Sequence, residues 1–271
     1  MNRKEERETY LLSILNSAGR ISTAEAVKLL DVSEATARRM FSEMEQEGKI
    51  VRNYGGIQKS DYSKEYSFAS HEKVCQQEKA RIGRLAATFV ADGDTIYLDC
   101  GTTVFQMTLA LNARILHGEF QTLNIITNSI ANIQALPTQS GCRVILIGGE
   151  YNCERRDFSG PLTEKNLAPF HFTKAFLGCD GLVVGMGFSS NQLSISSLND
   201  VVMERSEKTF VLLDQSKFGR NSLISYAEMR EVQDIITDAA PPAELSQKLQ
   251  QEGVQIHIAE SGKENDAACM N

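Results

Sequence analysis

The chain contains no Cys-x-x-Cys pair, no long uninterrupted apolar run, no charged-then-apolar leader and no internal repeat. Its six cysteines, Cys75, Cys100, Cys142, Cys153, Cys179 and Cys269, are scattered, and no histidine stands at metal-ligand spacing from one. That excludes a disulfide framework and a zinc site, and reads as small apolar side chains in a reducing compartment. Neither a metal nor a cofactor is expected. With no run of membrane-spanning length and no leader, the expectation is a soluble, cytoplasmic protein without a membrane partner. Excess positive charge is missing as well: 28 Lys and Arg stand against 35 Asp and Glu, a net charge of −7. A protein whose entire surface meets nucleic acid is thereby excluded.

The acidic excess is unevenly spread. Residues 1–57 hold 9 basic and 9 acidic side chains, while the rest of the 271 residues hold 19 and 26. A neutral N-terminal module is joined to an acidic body long enough to bury its own core. This division suggests a regulator with a separate sensing domain.

In the module, Ile21 to Arg52 carries two short amphipathic helices that meet at an Asp31-Val32 corner. Ser22 with Glu25 is a capping-box signature, which predicts a helix from about Thr23 to Leu30. Ser33 is a second N-cap, and Gly48 ends the helix it opens. Ala37, Phe41 and Met44 share one face of that helix, so Thr36, Arg38, Arg39 and Ser42 turn outward. Lys49 to Arg52, the Asn53-Tyr54-Gly55-Gly56 turn and Ile57 read as a hairpin, which makes a wing beside the helices. A donor-bearing helix set against a shorter one is the helix-turn-helix arrangement that enters the DNA major groove. Ser33, Thr36, Arg38, Arg39 and Ser42 on the helix, with Arg52 and Tyr54 on the wing, are the candidate DNA contacts.

These residues resemble a known family. Residues 3–57 are similar to the winged helix of DeoR-type bacterial repressors in the first helix through Leu15, the Gly19–Ser22 run, Val32–Arg39, and Gly55-Gly56. The chain departs from that pattern at Met40-Phe41, where the family carries Asp-Leu, and at Tyr54, where a His is common.

The body alternates apolar β-branched runs with helical stretches. TIYLDC, LNIITN, RVILIGG, KAFLGCDG, FVLLDQS, DIITD and VQIHIA are strand candidates. Ile82, Leu85, Ala86 and Phe89 form a helical stripe within 76–90, and further helices are expected near 102–111, 129–136, 161–168, 195–207 and 242–251. The pattern predicts a mainly parallel sheet covered on both faces. In such sheets ligands lie beyond the carboxyl ends of the strands. There stand Asp99, Gly101, Thr102 and Thr103 of DCGTT, Asn128-Ser129, Gly148-Gly149, Asp180, and Lys217 after Asp214. Gly101 permits close backbone approach and can take a positive φ. Thr102 and Thr103 offer hydroxyls and amides to a phosphate at a helix start, and Lys217 offers a mobile positive charge. Asp99 would repel a phosphate, so it either accepts a sugar hydroxyl or holds the loop's amides. Asn128-Ser129, taken by itself, is ordinary N-capping.

DCGTT, ITNS, IGGE, Gly160 to Leu162, GCDG and DQSKFG again resemble the DeoR-type family, now in its effector domain over residues 76–258. That resemblance implies a fold similar to ribose-5-phosphate isomerase and a repressor released by a phosphorylated sugar or sugar alcohol. It implies that Asp99, Gly101, Thr102, Thr103, Asn128, Gly149, Asp180 and Lys217 bind the effector. Ser194 to Asn199 departs from the acidic-then-basic run of many relatives.

The expected organisation is a winged helix-turn-helix over 1–58, a polar linker over 59–75, an α/β effector-binding and oligomerisation domain over 76–260, and a disordered tail over 261–271. In the linker, Tyr62, Tyr66 and Phe68 read as docking contacts. The expected partners are operator DNA, a phosphorylated sugar, and further copies of the chain as a dimer or tetramer. The alternative is an isomerase-like enzyme fused to a DNA-binding domain, with Asp180 as base. Its loop lacks a second acidic group, and Lys217 lacks the glycine-rich loop of an isomerase. No catalytic residue is therefore expected.

Overall fold

A computed structural model describes residues 3–18, 20–46, 49–53, 55–59, 66–137 and 140–260. The chain divides into two compact units, Met1–Ser67 and Phe68–Asn271. The expected tail over 261–271, Tyr54, Tyr62 and Gly48 lie outside the described residues.

The first unit runs α1 (Arg3–Ala18), β1 (Arg20–Ser22), α2 (Thr23–Leu30), α3 (Glu34–Gln46), β2 (Ile50–Asn53) and β3 (Gly56–Lys59). The capping box forms as expected: Ser22 Oγ accepts from Glu25 N (3.2 Å) and Ser22 N donates to Glu25 Oε2 (2.7 Å). Asp31 turns the corner in the left-handed region at φ +49°, a conformation aspartate tolerates better than most residues. Leu11, Leu15, Ala26, Leu30, Ala37, Phe41 and Met44 close one core with Ile21, Ile50 and Ile57. The wing has a strand that the hairpin reading did not include. β1 pairs antiparallel with β3, giving the order β1-β3-β2, with Ile21 opposite Ile57. The glycine pair divides the work. Gly55 turns at φ +94°, whereas a Cβ on Gly56 would collide with the Ile21 carbonyl. That second glycine lets the third strand approach.

In the second unit, α4 (Phe68–Lys73) and α5 (Gln76–Ala87) precede a seven-stranded, fully parallel sheet. Its strands are β4 (Thr95–Leu98), β5 (Leu123–Thr127), β6 (Cys142–Leu146), β9 (Lys174–Gly178), β12 (Thr209–Leu212), β14 (Asp234–Thr237) and β15 (Gln255–Ile258), in the order β15-β14-β12-β9-β4-β5-β6. The helices α6 (Thr102–Leu116), α7 (Ile130–Ala135), α8 (Pro161–Leu167), α9 (Leu193–Glu204) and α10 (Ala243–Gln251) join them. Because side chains alternate along a strand, the sheet feeds two separate cores. Tyr97, Ala175, Leu177, Val211 and Ile235 enter one, with Leu198 and Val202 of α9. Ile96, Leu98, Phe176, Phe210, Leu212 and Ile236 enter the other, with Ile82, Ala86, Met107 and Leu111 of α5 and α6.

Two smaller pieces decorate this frame. β7 (Glu150–Asn152) and β8 (Asp157–Ser159) form a hairpin, while β10 (Gly181–Val183), β11 (Gly187–Ser190) and β13 (Ile224–Ala227) form an antiparallel sheet. The expected linker over 59–75 is also revised in part, since Phe68–Lys73 is a helix of the second unit. Its N-terminus is pinned, because Phe68 N donates to Glu154 O (2.8 Å). The Phe68 ring meets Phe105 edge-on at 5.4 Å, and the Arg156 guanidinium lies over it. One buried aromatic anchors the helix, which is why no apolar period marks it.

Candidate functional site

Two regions carry candidate chemistry, one in each unit. In the first, the start of α3 is held by Ser33, whose Oγ accepts from Thr36 N (3.2 Å) and contacts Thr36 Oγ1 (2.8 Å). Ser33 thus caps the helix, and the Thr36 hydroxyl bonds the capping hydroxyl. Arg38 and Arg39 are exposed one residue apart, and Ser42 lies half-buried further along the same side. Each candidate arginine has a glutamate beside it. Arg38 pairs with Glu34 at 2.6 Å, Arg39 with Glu43 at 4.0 Å, and Arg52 with Glu45 at 3.9 Å. Exposed pairs of this kind contribute at most about 1 kcal/mol, and the loosely held Arg39 and Arg52, at 4.0 and 3.9 Å from their glutamates, are the ones most open to phosphates. A cleft of about 450 Å³ lies between the helices and the wing, lined by Ser22, Thr23, Lys28, Glu34, Arg38 and Gly55. The wing turn is fixed there, since Thr23 N donates to Gly55 O (2.8 Å).

In the second unit the strand order places the ends of β12, β9, β4, β5 and β6 side by side. Asp99 is buried, and its carboxylate accepts from Cys100 N (2.7 Å) and Gly178 N (3.0 Å). It holds the amides of two neighbouring strand ends, the second of the two roles expected of it. Burial pushes its carboxyl up, against those amide hydrogen bonds and the nearby Arg155 charge. Gly101 is the N-cap of α6 with φ −67° and no side-chain cap bond, so its positive-φ freedom is not used. Thr102 and Thr103 follow, largely buried. An uncapped helix start with two hydroxyls offers donors to an anion.

The neighbouring candidates are more committed to the fold. Asn128 accepts from Tyr97 Oη (2.9 Å) and donates to Phe158 O (2.8 Å). Ser129 caps α7 by accepting from Asn132 N (3.3 Å). Gly148 has open space where a Cβ would stand, whereas a Cβ on Gly149 would collide with Thr163 of α8. Asp180 braces its own loop, accepting from Asn191 N (2.9 Å).

Lys217 closes a 3₁₀ turn, Gln215–Lys217, whose cap Asp214 is buried and accepts from Ser216 N (3.0 Å). Its charge is felt by a residue not singled out from the sequence, Lys79 of α5. Lys79 is buried and donates to His71 O (2.7 Å). Burial pulls its pKa down, Asp214 opposes this, and Lys217 pulls it down further. Burial likewise pushes the Cys179 thiol up, and Lys217 counteracts it. Cys179 follows β9, Asp214 and Lys217 follow β12, and the Lys79 ammonium on α5 feels the charges of Asp214 and Lys217. Arg155 was missed as well. It is buried in the β7–β8 hairpin, with Nε 2.8 Å from Asp157 Oδ2 and Nη2 3.5 Å from Cys100 Sγ. A lysine on the buried stripe of α5, beside Ile82 and Ala86, was a readable signal. Nothing in Glu154-Arg155-Arg156-Asp157 distinguishes the buried arginine from its neighbour.

Comparison with known proteins places both units in one family. Residues 7–62 match the DeoR-like helix-turn-helix domain, and residues 74–239 match the DeoR C-terminal sensor domain. The chain is 32% identical to the HTH-type transcriptional repressor GlcR of Bacillus subtilis, over 97% of this chain and 99% of that protein. It is 32% identical to the lactose phosphotransferase system repressor of Streptococcus mutans, over 91% and 96%. The glycerol-3-phosphate regulon repressor of Escherichia coli is 26% identical, over 94% and 99%. Ribose 5-phosphate isomerase A of Methanocaldococcus jannaschii superposes with a TM-score of 0.40 at 19% identity, over 53% of this chain and 55% of that one. The chain belongs to the DeoR family of helix-turn-helix transcriptional regulators, with the DNA-binding domain first and the sensor domain after it.

Proposed function

We propose that this regulator represses genes of carbohydrate metabolism and is released from its operator by a phosphorylated sugar or sugar alcohol. Its relatives include repressors of a lactose phosphotransferase system and of a glycerol-3-phosphate regulon, which supports this reading. The observation that carries it is the open start of α6 at Gly101, Thr102 and Thr103, at the end of β4, in the same row of strand ends as Lys217 after β12, with β9 between them. The helix amides, Lys217 and Lys79 take the phosphoryl group, with Gly148 and Asp180 at its margins. Asp99, Asn128, Ser129 and Gly149 shape the loops around the ligand. On DNA, Ser33, Thr36, Arg38, Arg39 and Ser42 meet the major groove, and Arg52 and Tyr54 of the wing meet the backbone.

The coupling is linkage. A homo-oligomer must place paired recognition helices about 34 Å apart, or a multiple of that. A ligand that prefers an arrangement with different spacing weakens operator binding by its differential affinity, typically ~1–3 kcal/mol. The test mixes the full chain with glucose 6-phosphate, tagatose 6-phosphate, fructose 1-phosphate, glycerol 3-phosphate and the unphosphorylated sugars. A DNA duplex selected by the protein from a random pool serves as the operator. One phosphorylated compound should raise the melting temperature and weaken that duplex by roughly 5- to 150-fold. If no phosphorylated carbohydrate shifts either quantity, the sensor reading fails. Turnover of any of these esters would favour an enzyme instead.

A further inference from the structure

Glu34 stands one helical turn before Arg38 on the exposed side of α3. Nε (2.9 Å) and Nη2 (2.6 Å) of Arg38 both donate to Glu34 Oε1. Those nitrogens make up the side edge of the planar guanidinium. Both Nη1 hydrogens and the second Nη2 hydrogen remain for another acceptor pair. Two parallel donors on that end edge match guanine O6 and N7 in the major groove.

Other features separate this pair from an ordinary surface ion pair. Glu34 is the first residue of α3, directly after the Ser33 cap, so its backbone is held by the Ser33–Thr36 bonds. A carboxylate there is also favoured by the helix dipole. The pair lines the cleft beside Ser22, Thr23, Lys28 and the wing residue Gly55, the concave side of the helix-turn-helix. The neighbouring Arg39 contrasts with it: Glu43 lies 4.0 Å away and leaves that guanidinium more loosely held.

We propose that Glu34 is a positioning residue for DNA reading. It fixes Arg38 with its end edge outward, toward a guanine. Its negative charge also makes Arg38 a poor ligand for a phosphate, so Arg38 contributes to discrimination between sequences more than to general DNA affinity. Arg39 contributes mainly to general affinity. This rests on α3 being the helix that enters the groove.

The full chain is first used to select a winning duplex from a pool with a randomised 20-base-pair centre. Affinities are then measured for that duplex and for a scrambled one of equal composition. Glu34→Ala should weaken the winner ten- to a hundredfold and leave the scrambled duplex unchanged or bound more tightly. Re-selection with this variant should lose a guanine preference at one position in each half-site. Glu34→Gln keeps an oxygen acceptor for Arg38 and should restore most of the discrimination. Arg38→Ala should lose the same discrimination, and the double variant should be no worse. Arg39→Ala should weaken both duplexes alike. The proposal is overturned if Glu34→Ala keeps the affinity ratio, lowers both affinities equally, or is not rescued by glutamine. If Arg38→Ala keeps the ratio, the docking of α3 itself is wrong, and the role of Glu34 falls with it.

Discussion

Lys79 occupies a position where a lysine is costly. It lies on the buried stripe of α5 with Ile82, Gly83 and Ala86, and its hydrogen bond goes to a backbone carbonyl. Burial pulls its pKa down, Asp214 only opposes that in part, and the neighbouring Lys217 adds to it. An anion between the two lysines would relieve both effects at once. Lys79→Met should therefore leave the unliganded protein as stable as before, or more stable by about 1–2 kcal/mol, as buried charges replaced by apolar groups often do. The same variant should lose the melting-temperature rise produced by a phosphorylated sugar. A lower melting temperature with an intact ligand shift would remove Lys79 from the site. At this scale legibility followed chemistry. Asp99, Thr102 and Lys217 lie in the short segments beyond strands β4 and β12, a placement the sequence pattern alone could give. Arg155 reaches Asp157 and Cys100 only through the fold of a short hairpin. Asn128 shows the converse: a polar residue at a strand end whose side chain is used by Tyr97 and Phe158.

Elements were legible where periodicity was strong. The five inner strands carry apolar runs because both faces are buried, the edge strands β6 and β15 are only partly covered, and each of the seven runs coincides with a strand of the large sheet. The antiparallel sheet was not legible, since Gly181–Val183 is short and Gly187–Ser190 is rich in glycine and serine. What holds it is packing: a Cβ on Gly181 would strike the Arg220 carbonyl, and Ser222 N donates to Ser189 Oγ (3.2 Å). In the DNA-binding unit, local signals and tertiary structure coincide at α2. Ser22→Ala removes the side-chain half of its capping box, the Glu25 N to Ser22 Oγ bond, and should cost about 1 kcal/mol. Amide hydrogen exchange in the first turn of α2 should then speed up roughly fivefold if opening there is local, as about 1 kcal/mol implies. Unchanged exchange would mean that β1 pairing and the Thr23–Gly55 hydrogen bond hold the turn without the cap. Gly149→Ala tests the other kind of glycine. The collision with Thr163 should destabilise the sensor unit by about 1–3 kcal/mol, seen as a lower melting temperature.

At the scale of the whole molecule, the uneven charge and the two ligands meet in one thermodynamic cycle. The first 57 residues are neutral, with each candidate arginine beside a glutamate, and the remainder carries the −7. General attraction to DNA should therefore be weak, with affinity coming from few phosphate contacts. For two half-sites of two or three contacts each, the logarithm of affinity should fall against the logarithm of salt with a slope of about −4 to −5. A slope near −10 would require contacts from outside the recognition helix and wing. The stronger test is reciprocity. If a sugar phosphate weakens binding to the selected duplex by some factor, saturating duplex must weaken binding of that sugar phosphate by the same factor, because both describe one coupling free energy. Calorimetric titration of the sugar phosphate with and without duplex measures the second factor, and fluorescence anisotropy of labelled duplex measures the first. Equal factors above about fivefold would establish that the sensor and the DNA-binding unit bias one shared equilibrium. Duplex that leaves sugar-phosphate affinity untouched would mean the two units bind independently, and release from DNA would then need a cause other than the strand-end ligand.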